Sequence, residues 1–475
     1  MKSFYENEDV GTQERRRLLV ISYHFPPDRA IGARRWEKFS HFAAARGWGM
    51  DVVMRGDLPP NDVDDARSAL PSGVRVFAVA APALRIERLE NAVWRTLKRW
   101  RTPDSGTTGK SAAGAPQHAT RATRPARPAS VARSDLRWAL HSPRGWLRGY
   151  WAALDFARIS AWGDEVLAAV ASVFDPRIHR AIITSGPPFM MHDVGRRLSL
   201  RYRIPLVMDM RDPWSRVERL PEAIATPAWT KLAAHYERLA VERATLIIVN
   251  TDVARSQMSA TYPLRSRDII TVTNGGDDEE LPVVKRPSRF VIAHAGTLYL
   301  DRDPRALFEA AASVIREYSL TPDDLTLEFI GELEAVGGFP IEAVARAEGI
   351  EHYVHVGPAR PHRGALEFMA SASMLVTMSG SNMAAIPAKT FECVRFPAWV
   401  LAISAPGSAT TLLLAGTGAD VAAPGDCAAI ADIIRRRYHE HFAGVVPEPI
   451  GRDVRFTRRH QAGILMDALE ARIGG

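Results

Sequence analysis

Cysteine is nearly missing: the 475 residues contain only Cys393 and Cys427, too few for a disulfide framework and suited to a reducing compartment. Long apolar runs are missing too. Met1 to Arg17 is polar, with no secretory core, and the later apolar stretches are strand-sized. The chain is therefore expected to be cytoplasmic, with any membrane contact peripheral and at the inner face. No Gly-x-Gly-x-x-Gly follows the first apolar run, which weakens a dehydrogenase reading. What is present is globular, 46% hydrophobic and 24% charged, and too long for one core. Lys and Arg exceed Asp and Glu by 61 to 54, a net +7, which fits an anionic partner such as a nucleotide, a phospholipid head group or nucleic acid.

The apolar runs alternate with helical patterns. Leu18 to Ser22 ends in a Pro-rich loop, and Trp36, Phe39 and Phe42 then recur at helical spacing before Val52 to Met54. Further runs, Ala181 to Ser185, Leu206 to Met210, Leu246 to Asn250 and Ile269 to Thr273, complete a first set. After the linker-like Pro282 to Ser288, a second set begins: Phe290 to Ala295, Leu325 to Ile330, Val354 to Val356, Met374 to Thr377, Val400 to Ile403 and Asp420 to Ala422. The expected fold class is α/β, two doubly wound Rossmann-like domains facing across a cleft, with ligands beyond the carboxyl ends of the strands. Residues 1–285 form the first domain and 286–475 the second, whose last helix is free to pack back on the first.

Pro103 to Ser134 is rich in Ala, Thr, Pro, Gly, Ser and Arg and predicts a disordered insertion. Its Gly109-Lys110-Ser111 imitates the end of a P-loop, but the earlier glycine is replaced by Asp104 and no strand precedes it. On its flanks, Trp94, Lys98, Arg99, Trp100 and Arg101, then Arg137, Trp138, Arg144, Trp146, Arg148 and Trp151, interleave indoles with cations. That mixture suits an anionic membrane surface. It equally suits indoles packed on the first domain with solvated arginines. A single nucleic acid strand would also accept it, but no nucleic-acid-binding module is recognisable, and none is expected as a partner.

Ile386-Pro387-Ala388-Lys389-Thr390-Phe391-Glu392 concentrates the most chemistry. Proline marks a helix start near Ala388, where free N–H groups attract phosphate. Lys389 adds a charge, and Glu392, at i,i+3 spacing, shares its face and can accept two hydrogen bonds from a ribose diol. A capped helix with an ordinary ion pair would read the same way.

With Tyr23-His24-Phe25-Pro26-Pro27, Gly32, Ser185-Gly186-Pro187-Pro188, Asp209-Met210-Arg211-Asp212-Pro213-Trp214, Thr273-Asn274-Gly275-Gly276-Asp277 and Gly296-Thr297-Leu298-Tyr299 in order, the chain resembles the retaining GT-B glycosyltransferases of family four over most of its length. The resemblance implies transfer of a sugar, of hexosyltransferase type, from a nucleoside diphosphate sugar to a polysaccharide or lipid-linked acceptor. No cofactor and no metal are implied. It assigns the donor ribose to Glu392, while the first glutamate of the family's pair, separated from it by seven residues, is replaced by Ala384.

Donor-binding candidates are Gly296, Thr297, Lys389 and Glu392, because a glycine loop after a strand lets backbone approach a diphosphate closely. Lys389 and Arg302 are the catalytic cations for the leaving nucleotide, and His192 is the candidate near the reacting carbon. Gly32, Arg34 and Arg211 are acceptor-binding candidates. Asp209 and Arg211 equally suit a buried pair holding Trp214. Asp301 and Asp303 spell Asp-x-Asp, a metal-nucleotide signature of a different glycosyltransferase fold, which Asp62 and Asp64 repeat by chance, and His439-Glu440-His441 lacks metal spacing on a helix, so no metal site is expected. The alternatives are a GT-B-type epimerase or phosphorylase using the same cleft, and a non-catalytic binding or scaffold protein.

Overall fold

The computed structural model describes residues 4–7, 16–28, 32–56, 63–82, 84, 143–216, 224–285, 287–298, 302–331, 333 and 340–473. The insertion 103–134, its P-loop-like tripeptide and the flanking cluster residues 94–101, Arg137 and Trp138 lie outside the described residues, as do Asp62 and Asp301.

The first sheet contains β1 (Tyr5–Asn7), β2 (Arg17–Ser22), β3 (Gly49–Arg55), β4 (Val74–Val79), β5 (His179–Ser185), β6 (Leu206–Arg211), β7 (Leu246–Val249) and β8 (Ile269–Thr271). Their order is β1-β4-β3-β2-β5-β6-β7-β8, parallel except for β1, which runs antiparallel along the edge of β4. The second sheet is wholly parallel. Its strands β9 (Phe290–Ala295), β10 (Leu325–Ile330), β11 (Val354–Gly357), β12 (Met374–Gly380), β13 (Trp399–Ser404) and β14 (Asp420–Ala422) are ordered β11-β10-β9-β12-β13-β14. In each sheet the order reverses once, between β2 and β5 and between β9 and β12, and such a switch point opens a crevice outside the strand ends.

Period-two alternation explains why both sheets carry helices on both faces. Leu19 and Ile21 of β2 enter one core, with Trp162, Val166, Met208 and Trp214; Leu18 and Val20 enter the opposite one, with Trp36, Phe39 and Trp48. That second core is completed by Ala462, Leu465, Met466 and Leu469, because the helix Arg458–Ile473 packs back on the first sheet. In the second sheet, Phe290 and Ile292 meet the helices Arg305–Tyr318 and Cys427–Phe442, while Val291 and Ala293 meet His362–Ala370.

Two connections cross between the sheets side by side: Gly276 N–H donates to Phe456 O at 2.8 Å, and Arg458 N–H to Gly276 O at 2.9 Å. Arg458 also pairs with Asp277. Beside β2, a buried charge cluster anchors the far end of the first sheet. Asp51 on β3 accepts from Arg17 at 2.6 Å, Arg75 at 2.6 Å and His179 at 2.9 Å.

Candidate functional site

The helix Ala388–Cys393 starts directly after Pro387, as the sequence predicts. Thr390, Phe391 and Cys393 are buried, and Thr390 Oγ1 meets Thr377 Oγ1 of β12 at 2.8 Å. With that face fixed inward, Lys389 and Glu392 share the other, and Lys389 Nζ lies 2.5 Å from Glu392 Oε2. The pair is part-buried, at 32% and 21% side-chain exposure, so it remains reachable by a ligand.

The loop after β9 closes on this helix. Gly296 has φ +151°, and a Cβ there would stand 3.7 Å from Lys389 Cγ. Gly331, at φ +142°, ends β10 so tightly against it that an added Cβ would lie 2.1 Å from Gly296 O. Only glycine fits this crossing. Arg302 reaches the same loop, its Nη1 3.4 Å from Thr297 O. It also lines a cavity of about 290 Å³, with Arg305, Glu309, Met378, Gly380 and Cys427. Gly296, Thr297, Arg302, Lys389 and Glu392 thus gather at the β9/β12 switch point, drawn from segments far apart in sequence.

His294, which sequence reasoning passed over, stands beneath this group. It is 6% exposed, its Nδ1 lies 2.9 Å from Val376 O, and its buried Nε2 has no hydrogen-bond partner among the described residues. Burial, joined by the charges of Arg302 and Lys389, overrides the Val376 carbonyl and lowers its pKa to about 4.

Across the seam, Gly32, Arg211 and Gly186 meet at the β2/β5 switch point. A Cβ on Gly32 would lie 3.0 Å from Arg211 Nη1, which also points at Gly186 O from 3.3 Å. Arg211 has φ +64°, after an irregularity of β6 between Asp209 and Arg211. A non-glycine residue so placed carries backbone strain and often marks a working site. Arg34 is exposed, and its charge acts on Asp277. His24, in the motif Tyr23 to Pro27, has Nδ1 2.6 Å from Asp28 Oδ2, and Arg55 Nε lies 3.5 Å from that same oxygen.

Asp209 does not pair with Arg211 to hold Trp214. It binds Arg35 Nε at 3.0 Å and the indole of Trp36 at 2.8 Å. Burial lowers the pKa of Arg35 and Asp209 opposes that, while Arg35 also donates to Val272 O and Asn274 Oδ1. His192 is fully buried between Phe189 and Trp214, its Nδ1 2.8 Å from Thr184 Oγ1 and its Nε2 against Gly186. Burial, opposed only by Asp209, lowers its pKa to about 3, so the ring is uncharged at neutral pH.

Ala384 has a place of its own. The loop after β12 carries it into the first domain's core, and its carbonyl accepts from Thr251 Oγ1 at 2.6 Å. A glutamate side chain there would have to enter apolar packing, at a desolvation cost that alanine avoids. Among the described residues, no three His, Cys, Asp or Glu side chains are grouped as metal ligands would be, and no helix is long and apolar enough to cross a membrane.

No known protein family matches the chain, and no curated protein is similar in sequence. Solved structures are similar in shape. Sucrose-phosphate synthase from Thermosynechococcus elongatus superposes with a TM-score of 0.59 at 14% identity, over 96% of this chain and 100% of that one. HepE from Anabaena, solved with UDP, gives 0.57 at 14% over 96% and 100%. The lipopolysaccharide outer core galactosyltransferase WaaB, in apo form, gives 0.53 at 11% over 96% and 99%. The likeness extends over both sheets, and the fold is GT-B: two doubly wound Rossmann-like domains facing each other across a cleft.

Proposed function

We propose that this chain is a glycosyltransferase that moves a sugar from a nucleoside diphosphate sugar to a polysaccharide or lipid-linked acceptor, with retention and without a metal. One observation carries the reading: the Lys389–Glu392 pair lies against the Gly296 loop at the β9/β12 switch point. In the structure the two charges satisfy each other. A nucleoside diphosphate sugar would part them, its ribose diol taking Glu392 and its diphosphate taking Lys389, Arg302 and the backbone around Gly296 and Thr297. The bond from the anomeric carbon to the diphosphate then breaks, the acceptor oxygen bonds to that carbon, and its proton passes to the departing diphosphate, whose charge the two cations stabilise. Gly32, Arg34 and Arg211 line the acceptor side. The ligands of HepE, UDP and UDP-glucose, head the panel that tests this.

UDP, GDP or ADP, or one of their sugars, at a hundred times its dissociation constant, is expected to stabilise the native state by about 2.7 kcal/mol in a thermal-shift assay. EDTA is expected to leave turnover unchanged. A flat response to every nucleotide would favour a scaffold, turnover without acceptor an epimerase, and strict dependence on Mg²⁺ or Mn²⁺ would end the metal-free mechanism.

A second reading comes from His24. A ring oriented by a carboxylate, as Asp28 orients it, is built to act as a general base on an acceptor hydroxyl, which suits direct displacement with inversion. Proton NMR of the product's anomeric centre separates the two: retention keeps the first, inversion the second.

Peripheral binding to anionic membranes belongs to the same proposal. Its support is the Trp/Arg sequence clusters and, on the helix Pro143–Val170, exposed Leu147 and Trp151 at 55% and 38%. Each basic residue near an anionic leaflet contributes about 1 kcal/mol, screened within roughly 8 Å at physiological salt. Co-sedimentation with anionic liposomes is therefore expected to fall steeply as salt rises, and to be lost when Arg99, Arg101, Arg144 and Arg148 are changed to Glu. Equal sedimentation of parent and variant, or none by the parent at low salt, would leave the clusters as packing.

A further inference from the structure

His294 is the next-to-last residue of β9, and its ring faces the core that holds Phe329, 5.9 Å away. A carbonyl can only accept, so Nδ1, 2.9 Å from Val376 O, carries the proton. With the ring uncharged at neutral pH, Nε2 is a lone-pair acceptor and nothing else. It is buried and finds no donor among the described residues. An acceptor left so is costly, which is why buried polar atoms are nearly always satisfied.

The direction in which Nε2 points narrows what can satisfy it. It lies 3.6 Å from where a Cβ on Gly296 would be, and Lys389 Cγ lies 3.7 Å from that same point, so it opens toward the loop and helix of the donor site. The nearby ammonium is already held by Glu392 at 2.5 Å. A diphosphate oxygen is an acceptor at neutral pH and would be repelled by a second lone pair. The missing group must donate, and the donors that a nucleoside diphosphate sugar brings near its diphosphate are hydroxyls.

We infer that His294 Nε2 accepts a hydrogen bond from a hydroxyl of the transferred sugar and so is a specificity residue of the donor site. This rests on the donor reading above, in which Glu392 takes the ribose diol and leaves the sugar hydroxyls to another acceptor. The arrangement divides recognition by charge: Lys389 and Arg302 answer the diphosphate of any nucleotide, while the neutral imidazole answers only the sugar. A sugar lacking that hydroxyl would leave Nε2 buried and unmet, the situation in which polar sites discriminate most strongly.

The test compares free nucleotide with its sugar. Isothermal titration of UDP and UDP-glucose, or of the GDP or ADP pair if the parent prefers that base, is run on the parent, His294→Phe and His294→Gln. His294→Phe is expected to bind the sugar nucleotide about 10-fold more weakly while free nucleotide stays within about 2-fold, and His294→Gln, which keeps an acceptor on a similar stem, is expected to retain most of the affinity. A loss shared equally by UDP and UDP-glucose, or no loss with either, overturns the inference while leaving the donor site standing. Failure of the parent to bind any nucleoside diphosphate removes the donor reading and this inference with it. If His294→Phe does not fold, ¹⁵N NMR of the parent decides: the Nε2 resonance is expected to move with UDP-glucose and not with UDP, and the same shift with both, or with neither, overturns it.

Discussion

Replacing Lys389 by alanine is expected to lower turnover by about 10²–10³-fold, the range seen when one charge-stabilising donor is removed from a reacting centre. Folding should hardly notice. The ion pair with Glu392 is part-exposed, and such pairs contribute about 0–1 kcal/mol, whereas the helix is held by Phe391 and Thr390 on its other face. Glu392→Ala is expected to weaken nucleotide binding by roughly 1.5–3 kcal/mol, as for a hydrogen bond to a charged group, and to show it in titration of free nucleotide. Steady-state kinetics and calorimetry of the two variants form the check. Parent-like binding and turnover in both would make the pair an ordinary surface ion pair and remove the donor site.

The second large effect is on stability. Asp51→Ala is expected to destabilise the native state at pH 7 by about 3–5 kcal/mol, because it strands Arg17, whose side chain is 3% exposed, without its counter-charge. Burial alone would push the Asp51 pKa up, but hydrogen bonds from His179, Arg75 and Arg17 outweigh it and hold the carboxyl well below the usual range. The sign follows from that direction. A carboxyl depressed in the folded state contributes fully above its unfolded value, about 3.9, and loses that contribution as pH falls below it. The gap between parent and variant in denaturant unfolding should therefore be widest near neutrality and shrink below about pH 4. A gap under about 1 kcal/mol at pH 7 would mean that the two arginines find water instead.

Legibility followed the range of each interaction. Strands such as Leu246–Val249 and Trp399–Ser404 were readable because they are buried on both faces and so are built on unbroken apolar runs. Val74–Val79 was missed, since Arg75 interrupts it, and so was Tyr5–Asn7, a three-residue polar edge strand. The Lys389–Glu392 pair was visible because helical spacing fixes it locally. The partner of Asp209 was not. Arg35 stands 174 residues away, and nothing within either motif distinguishes it from Arg211, the nearer arginine. His294 was invisible for a related reason: a lone histidine in an apolar strand signals nothing until a neighbouring strand supplies Val376 O for one nitrogen and leaves the other unmet.

The helix Arg458–Ile473 has a consequence in time as well as in space. Trp48 Nε1 donates to Glu470 at 3.0 Å across a separation of 422 residues, and the core around Trp36 and Phe39 is closed by Leu465 and Leu469. A ribosome adding roughly 5–20 residues per second needs on the order of 20–80 s to travel that distance. Within that interval the first sheet is completed at residue 271 with one face uncovered, and the second domain, whose strands and helices lie between residues 290 and 442, is synthesised in full before the covering helix appears. The domain made first is thus the last to finish, and its nascent form presents the apolar surface on which a chaperone would settle.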